Sequence, residues 1–348
     1  MEIVVTEFGV SLGKKSERVV IRRNGSVIEE HPLFQVSHII IGSNGVAISS
    51  DLVCECALSG IPISFLSGSG KPLARLSSPE MIGSVETRRQ QMMAYLDRRG
   101  VAFALAIARA KIANQAVILK YFGKSRKAAH PELYSLLRQA VSRLARAAGE
   151  LDCLTASDQP PVDGGPPAEK IDDLRLQILS VEGRAGRIYW EAIREILPAS
   201  LSFAGREHQG ARDLTNVLLN YGYGCLYSQV WGAVTLAGLD PFAGFLHVDR
   251  PGKPSLVLDL VEEFRQMVVD RTVFGLLVKG VTYRLTDEGR LSDEARREFA
   301  RRILDRLDAP VRYEGKRERL RVVIQKQARH LACFFRAERD YRGFIGTW

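Results

Sequence analysis

The sequence predicts an α+β protein in which a small N-terminal β-domain, residues 1–80, precedes a larger all-α domain, residues 81–348. Three observations predict this. Short runs rich in β-branched residues, separated by turn signals, fill the first 80 residues. From about Ile82 the apolar residues recur instead at three- and four-residue spacing, the period of a helix face. Charge divides at the same place. Residues 1–80 carry seven Lys and Arg against eight Asp and Glu, so of the chain's 49 basic and 40 acidic residues the remainder holds 42 and 32. All of the net +9 charge therefore lies after residue 80.

In the first part, IVVTEF, RVVIRR, SVIEEH, HIIIG and PISFLS read as strands. Asn24-Gly25, between two of them, is a two-residue hairpin signal, because both positions of such a turn need positive φ. Ser49, Ser50 and Asp51 can cap one short helix running to about Leu58, with Gly60 ending it. No convergent set of reactive side chains occurs here, so packing or dimerisation is its expected role. The exposed strand edges of a small sheet need a cover, and a symmetric partner is one.

The second part opens with a long helical pattern from Glu86 to Gly123, followed by a helix from about Pro131 to Leu151. TASDQPPVDGGPPAEK then interrupts it with four prolines and two glycines, and the segment 155–168 reads as a mobile connection between helices. Helices are expected from Ile171 to near the end of the chain. Solenoid-length repeats are absent from the sequence.

Composition excludes some classes. The longest apolar run, near Val101, is broken by Arg109 and Lys111, so no membrane span is expected. Five cysteines, with only Cys54-x-Cys56 closely spaced, suit neither a disulfide framework nor a zinc finger. MEIVVTEFGV lacks the basic start of a signal peptide, and the expected location is a reducing cytoplasm. A basic second part suggests a polyanion partner, although solvated helix faces such as RREFARRILDRLD carry the same charges.

Three places could carry chemistry. In the helix from Ile171, Glu182 falls on the apolar line of Leu174, Ile178, Ala185, Tyr189 and Ala192. A carboxylate facing a core must be paired, hydrogen-bonded or metal-bound. A neighbouring arginine, Arg184 or Arg187, would satisfy it as well as a metal would. Gly183 and Gly186 sit mid-helix, each costing roughly 1 kcal/mol relative to Ala, which suggests close approach by a backbone or ligand. His247 lies between Leu246 and Val248 in a Gly/Pro-punctuated loop, where an imidazole is either structural or a metal ligand. That loop runs into SLVLDLVEEFRQMVVD, read as one helix from Ser255. On a wheel of about 100° per residue, Asp259, Glu262 and Glu263 gather opposite its apolar face. Asp259 and Glu262 are neighbours at i, i+3 and repel unless a cation relieves them; Arg265 is one candidate.

Together with their surroundings, these segments resemble the CRISPR-associated spacer-acquisition integrases, the Cas-one family. Asn220-Tyr221-Gly222-Tyr223, Gly238-Leu239-Asp240-Pro241 and the run from Gly244 to His247 match its Asn-x-Gly-Tyr, Gly-Leu-Asp-Pro and Gly-x-x-His elements. SVEGRAGRIYW resembles its Glu-Gly segment at Glu182, and SLVLDLVEEFR its acidic helix at Asp259 and Glu262. NGVAISSDLVCECALSGIPISFLSGSGKPLARL looks like its small β-domain. Arg88–Gln90 and Lys111–Gln115 resemble its first long helices. The resemblance covers nearly the whole chain. Many relatives carry aspartate where Glu262 stands, and adjacent Glu263 is the alternative acid.

The resemblance implies a metal-dependent DNA endonuclease and integrase that inserts spacers by 3′-OH attack on a phosphodiester. It implies that Glu182, His247 and Glu262 are catalytic and bind Mn²⁺ or Mg²⁺, with Asp259 as an accessory acid or a support to a ligand. A hard cation suits carboxylates, and one imidazole favours Mn²⁺. Arg184, Arg187, Arg250, Lys253 and Arg265 are candidate DNA-binding residues. The basic residues Arg296, Arg297, Arg301, Arg302, Lys316, Arg317, Arg319 and Arg321, placed on C-terminal helices, form a candidate backbone-tracking surface. The implied partners are branched or duplex DNA with spacer and repeat ends, a second copy through the β-domains, and a small ferredoxin-like companion of the adaptation complex. A family member or architectural protein that binds DNA without catalysis is the alternative. A zinc hydrolase would usually show a local HExxH-like pair, and the sequence has none.

Overall fold

The computed structural model describes residues 1–68, 70, 72–76, 78, 85–156, 170–208 and 210–347. The Pro-rich connection at 155–168 lies outside the described residues from 157 onward. The fold is α+β, as the sequence predicts: N-terminal strands, then a mainly helical remainder.

In chain order the elements are β1 (Glu2–Val5), β2 (Val10–Lys15), β3 (Arg18–Arg23), β4 (Ser26–Pro32), β5 (His38–Ile41), β6 (Ala47–Ile48), α1 (Ser50–Leu58), β7 (Ile63–Leu66) and β8 (Pro72–Leu76). The helices α2 (Val85–Ala94), α3 (Arg98–Lys124), α4 (Arg126–Ala129), α5 (Pro131–Ala156), α6 (Ile171–Ile196) and α7 (Leu214–Leu236) follow. Next come α8 (Ser255–Val261), a π-helical turn at Gln266–Asp270, α9 (Arg271–Leu277) and α10 (Asp293–Asp308). A hairpin of β9 (Pro310–Tyr313) and β10 (Lys316–Arg319), then α11 (Leu320–Phe335), complete the regular structure.

The chain packs as two compact units. One comprises Met1–Met81, Glu207–Ser228 and Thr282–Arg306; the other comprises Ile82–Arg206, Gln229–Val281 and Leu307–Trp348.

The first unit holds two four-stranded sheets, ordered β1-β5-β7-β8 and β4-β3-β2-β6. In the first sheet β1 and β7 pair parallel to β5, with Ile3 opposite Ile39 and Ile40 opposite Ser64. The Asn24-Gly25 turn joins β3 to β4 with φ of 49° and 80°, and Arg23 pairs with Ser26 across it. Ser49 caps α1, its hydroxyl accepting from Leu52 N at 3.3 Å, and Gly60 follows the helix at φ 68°. Alternate residues of both sheets, including Ile3, Val5, Leu12, Val19, Ile21, Ile39 and Ile63, close on Leu52 and Cys56 of α1 in one core.

In the second unit α3, α5 and α6 pack against one another. Helix α3 is long and apolar enough to cross a membrane by length and composition, but here it is a core helix, with Phe103, Ile107, Ile118 and Leu119 buried.

Two expectations are corrected. The segment from Ser255 is not one helix: α8 ends at Val261, residues 262–264 form a turn, and the π-helical turn follows. Backbone bonds from Glu262 N to Asp259 O and from Phe264 N to Val261 O, at 3.2 and 3.0 Å, tighten the break. Nor is the C-terminal part wholly helical. Lys316, Arg317 and Arg319 lie on β10, paired antiparallel with β9 across the Glu314-Gly315 turn, whose φ of 47° and 79° suit a two-residue hairpin.

Candidate active site

All of the candidate catalytic residues lie in the second unit. Glu182 comes from the middle of α6, His247 from the loop after α7, and Glu262 from the break after α8. Lys111, on α3, joins them. Its ammonium donates to Glu182 Oε1 and lies 2.6 Å from Glu262 Oε2. Arg265 Nη1 meets the other oxygen of Glu262 at 2.6 Å. The Glu262 side chain is only 5% exposed. Burial raises its carboxyl pKa, but Arg265, Lys111 and His247 overcome this and hold it well below the usual range. Burial likewise disfavours the Lys111 ammonium, yet Glu262 and Glu182 leave its pKa raised.

His247 is oriented by Asp259. Its Nδ1 lies 2.7 Å from Asp259 Oδ1. An ionised carboxylate can only accept, so Nδ1 carries the proton and Nε2 is the nitrogen left for a ligand. The fully buried Asp259 also accepts from the backbone N–H groups of Phe245, Leu246 and His247 at 2.7, 3.1 and 2.8 Å. Burial lowers the His247 pKa, but the hydrogen bond and charge of Asp259 leave it raised. A carboxylate behind a histidine in this way is the usual outer support of a metal-ligating imidazole. Asp259 thus lies behind the imidazole, with its carboxylate occupied by the loop backbone and Nδ1.

The loop itself is held from three sides. Gln91 of α2 donates to the carbonyls of Asp240 and Ala243, both at 2.9 Å, and accepts from Asp240 N at 2.8 Å. Arg175 of α6 donates to Phe245 O at 2.9 Å. The Phe245 ring stacks on Phe335 of α11 with centroids 5.0 Å apart. Gly244 lies directly against the start of α8, where an added Cβ would sit 2.4 Å from Ser255 Cβ. Gly244→Ala is therefore expected to destabilise by about 1–3 kcal/mol through overpacking and to displace His247. Chemical denaturation checks the first effect, and the imidazole NMR signal the second.

The other acids of this stretch separate. Glu263, fully buried, turns away from Glu262 and accepts from Gln327 Nε2 at 2.8 Å, from Tyr341 OH and from Phe344 N. Burial pushes its carboxyl up to about 7 against those hydrogen bonds. The wheel placed Asp259, Glu262 and Glu263 on an exposed arc; all three are buried, because the helix breaks and side chains of α3 and α11 cover it.

The pairing expected for Glu182 is also corrected. Its partner is Lys111, while Arg184 pairs with Glu150. Gly183 and Gly186 have nothing within 4 Å of an added Cβ, so no close backbone approach explains them. Arg184 and Arg187 line a surface cleft of about 380 Å³ with Arg143 and Arg146. Arg250 and Lys253 close a tight turn, Lys253 N donating to Arg250 O at 2.9 Å. In the first unit Arg296 donates to Gly42 O at 2.8 Å, and Arg297 pairs with Glu7. These two arginines serve internal contacts in this structure.

Lys111 and Gln91 were missed as site residues in the sequence. The signal for Lys111 was its interruption of the chain's longest apolar run. Gln91 gave no comparable signal.

The donors suit a hard cation with one nitrogen ligand. Glu262 Oε2 is buried and, though beside Lys111, receives no hydrogen bond of proper geometry. Among the described residues no three His, Cys, Asp or Glu side chains stand close enough to enclose an ion as placed. The Lys111 ammonium lies between the two glutamates and neutralises them, so a divalent cation on both would displace it.

Fold and site together define a two-unit α+β protein whose helical unit gathers two glutamates, a lysine and a carboxylate-backed histidine. The model of the CRISPR associated protein Cas1 family matches residues 3–304. The chain belongs to this family. It is 38% identical to CRISPR-associated endonuclease Cas1 1 of Archaeoglobus fulgidus, over 100% of both chains. It is 33% identical to the protein of the same name from Francisella tularensis subsp. novicida, over 99% of both. Its fold is similar to that of a casposase bound to an integration product, with a TM-score of 0.78, 23% identity, and coverage of 98% of this chain and 92% of that one. A Cas1 protein from Thermotoga maritima superposes with a TM-score of 0.71 at 20% identity, covering 98% and 99%.

Proposed function

We propose that this protein is a metal-dependent DNA endonuclease and integrase of the CRISPR adaptation step, inserting new spacers by 3′-OH attack on a phosphodiester. The observation carrying the reading is the convergence of Glu182 and Glu262 on one cation, beside a histidine whose Nδ1 is held by Asp259. Relatives named endonuclease, and a structural neighbour bound to an integration product, give the same direction.

Glu182, His247 through Nε2, and Glu262 would hold Mn²⁺ or Mg²⁺. When bound, the ion supplies Lewis acidity toward the scissile phosphate and neutralises developing charge. The protein's own residues do the rest. Asp259 fixes the imidazole tautomer. Arg265 orients Glu262 and keeps it ionised. Lys111, released from the carboxylates, offers its charge to a phosphate oxygen. In-line attack exchanges one P–O bond for another, so no covalent protein intermediate is needed.

DNA would reach this unit through phosphate contacts, with Arg184, Arg187, Arg250 and Lys253 as the candidate donors. Solved complexes that include a Cas1–Cas2 assembly and a Cas1–DNA complex share the fold. They support DNA and a Cas2 protein as partners, and the companion we propose is a small ferredoxin-like protein. A second copy joins through the β-domains, where Phe8 and Phe34 are 71% and 84% exposed and edge strand β4 leaves Val27 and Ile28 exposed. The free thiols among the described residues are consistent with a cytoplasmic setting.

Rejoining of a branched DNA that mimics a half-integrated end tests the reading. Activity with Mn²⁺ or Mg²⁺ that EDTA removes, and added metal restores, is the expected result. Tight DNA binding with no rejoining under either ion would favour the alternative, a family member that binds without catalysis.

A further inference from the structure

The segment 341–346, beyond α11, threads between α3 and the residues that follow Glu262. Asn114 of α3 is fully buried and ties the three together. Its Nδ2 donates to Glu263 O at 2.9 Å and to Phe344 O at 2.8 Å, while its Oδ1 accepts from Gly346 N at 2.8 Å. Every hydrogen-bonding group of that side chain is thus spent on the break and the strap. The strap grips the break from other directions as well. Tyr341 OH and Phe344 N donate to the Glu263 carboxylate, and the Phe344 ring stacks on Phe264 with centroids 5.4 Å apart.

Close packing leaves the strap little latitude. A Cβ on Gly343 would lie 2.6 Å from Ala110 Cβ and 2.7 Å from Ala106 O on α3. A Cβ on Gly346 would lie 2.5 Å from Met267 Sδ in the π-helical turn. The strap therefore sits against α3 just before Lys111 and against the chain just after Glu262. These are the two elements that present the Lys111–Glu262 ion pair. Turn 262–264 has left the α-helical ladder, so the regular helix cannot fix Glu262 by itself.

We propose that Asn114 and the strap 341–346 are positioning elements for Glu262, setting its separation from α3 and hence the geometry of the ion site. The proposal rests on the metal-dependent reading above and adds residues that touch neither DNA nor the ion.

The test uses the full chain and compares Asn114→Ala and Gly343→Ala with Leu144→Ala, a fully buried α5 position serving as a packing control. Two readouts are independent of each other. Hydrogen exchange of amides 261–267 is measured without metal or DNA. Separately, the Mn²⁺ concentration giving half-maximal rejoining is measured alongside KM for the branched DNA.

Asn114→Ala is expected to speed exchange at 261–267 and raise half-saturating Mn²⁺ about tenfold, the lower end of what losing an outer partner of a ligand does, with KM for DNA unchanged. Gly343→Ala, which moves the strap without touching Asn114, is expected to do the same. Leu144→Ala should lower the melting temperature without either effect. Unchanged exchange at 261–267 in both strap variants, or a loosening shared equally by Leu144→Ala, overturns the proposal. If the wild type shows no metal-dependent rejoining, the functional reading falls. Exchange at 261–267 then decides the strap's role alone: selective loosening keeps it as a positioning element of the break, and its absence removes it.

Discussion

His247→Ala is expected to lower metal-dependent rejoining by about a thousandfold or more, exceeding the ten- to hundredfold typical of losing a ligand's outer partner. That corresponds to about 4 kcal/mol of transition-state stabilisation. Affinity for branched DNA should change by less than about threefold, since backbone contacts to basic residues carry most of it. The reasoning is local. Asp259 holds Nδ1 at 2.7 Å, which leaves Nε2 as the nitrogen for a ligand, and alanine supplies no nitrogen in its place. Single-turnover rejoining and a binding titration on the same substrate separate the two effects. Retained activity would remove the histidine from the chemistry.

The second large effect is expected at Asp259. Its carboxylate is fully buried and accepts from three backbone N–H groups and the imidazole. Asp259→Ala leaves those donors inside the protein without an acceptor, each such loss costing about 1–3 kcal/mol. A total of at least about 3 kcal/mol of stability should go, in line with breaking a buried charged network. Activity should fall with it, because the 245–247 loop and the histidine tautomer lose their anchor. Urea unfolding gives the first quantity, and rejoining at a temperature where the variant is folded gives the second. A variant as stable as the wild type would show that the loop has another anchor.

The parts legible in the sequence were those where local chemistry dictates geometry. Asn24-Gly25 needs positive φ at both positions, and the turn has it. Ser49 is a good cap and caps α1. Glu182 stood out as a carboxylate on an apolar stripe, and its side chain is 20% exposed and ion-paired.

What was not legible depends on partners distant in sequence. Lys111 reads as an ordinary polar interruption until α6 and the 262–264 turn bring two glutamates to it. The break after Val261 is invisible to a helical wheel, because VEEFRQMVV keeps a helical pattern of apolar residues. It is stabilised by Asn114 and by a strap some 80 residues downstream, which satisfy backbone groups and the Glu263 carboxylate. The hairpin β9–β10 was hidden for a different reason: KRER is charged at every position and leads directly into α11, so it reads as the exposed start of that helix. Strands β2, β6 and β8 were missed because VSLGKK, the two-residue AI and PLARL are short or interrupted by glycine, lysine or proline, and gain their order from sheet neighbours.

The most direct measurement of the central claim is the anomalous diffraction of crystals grown with Mn²⁺. A peak bounded by Glu182, His247 Nε2 and Glu262, with the Lys111 ammonium moved off the two carboxylates, is the result this account predicts. Mn²⁺ bound elsewhere, or Lys111 still bridging Glu182 and Glu262 at saturating Mn²⁺, would contradict it.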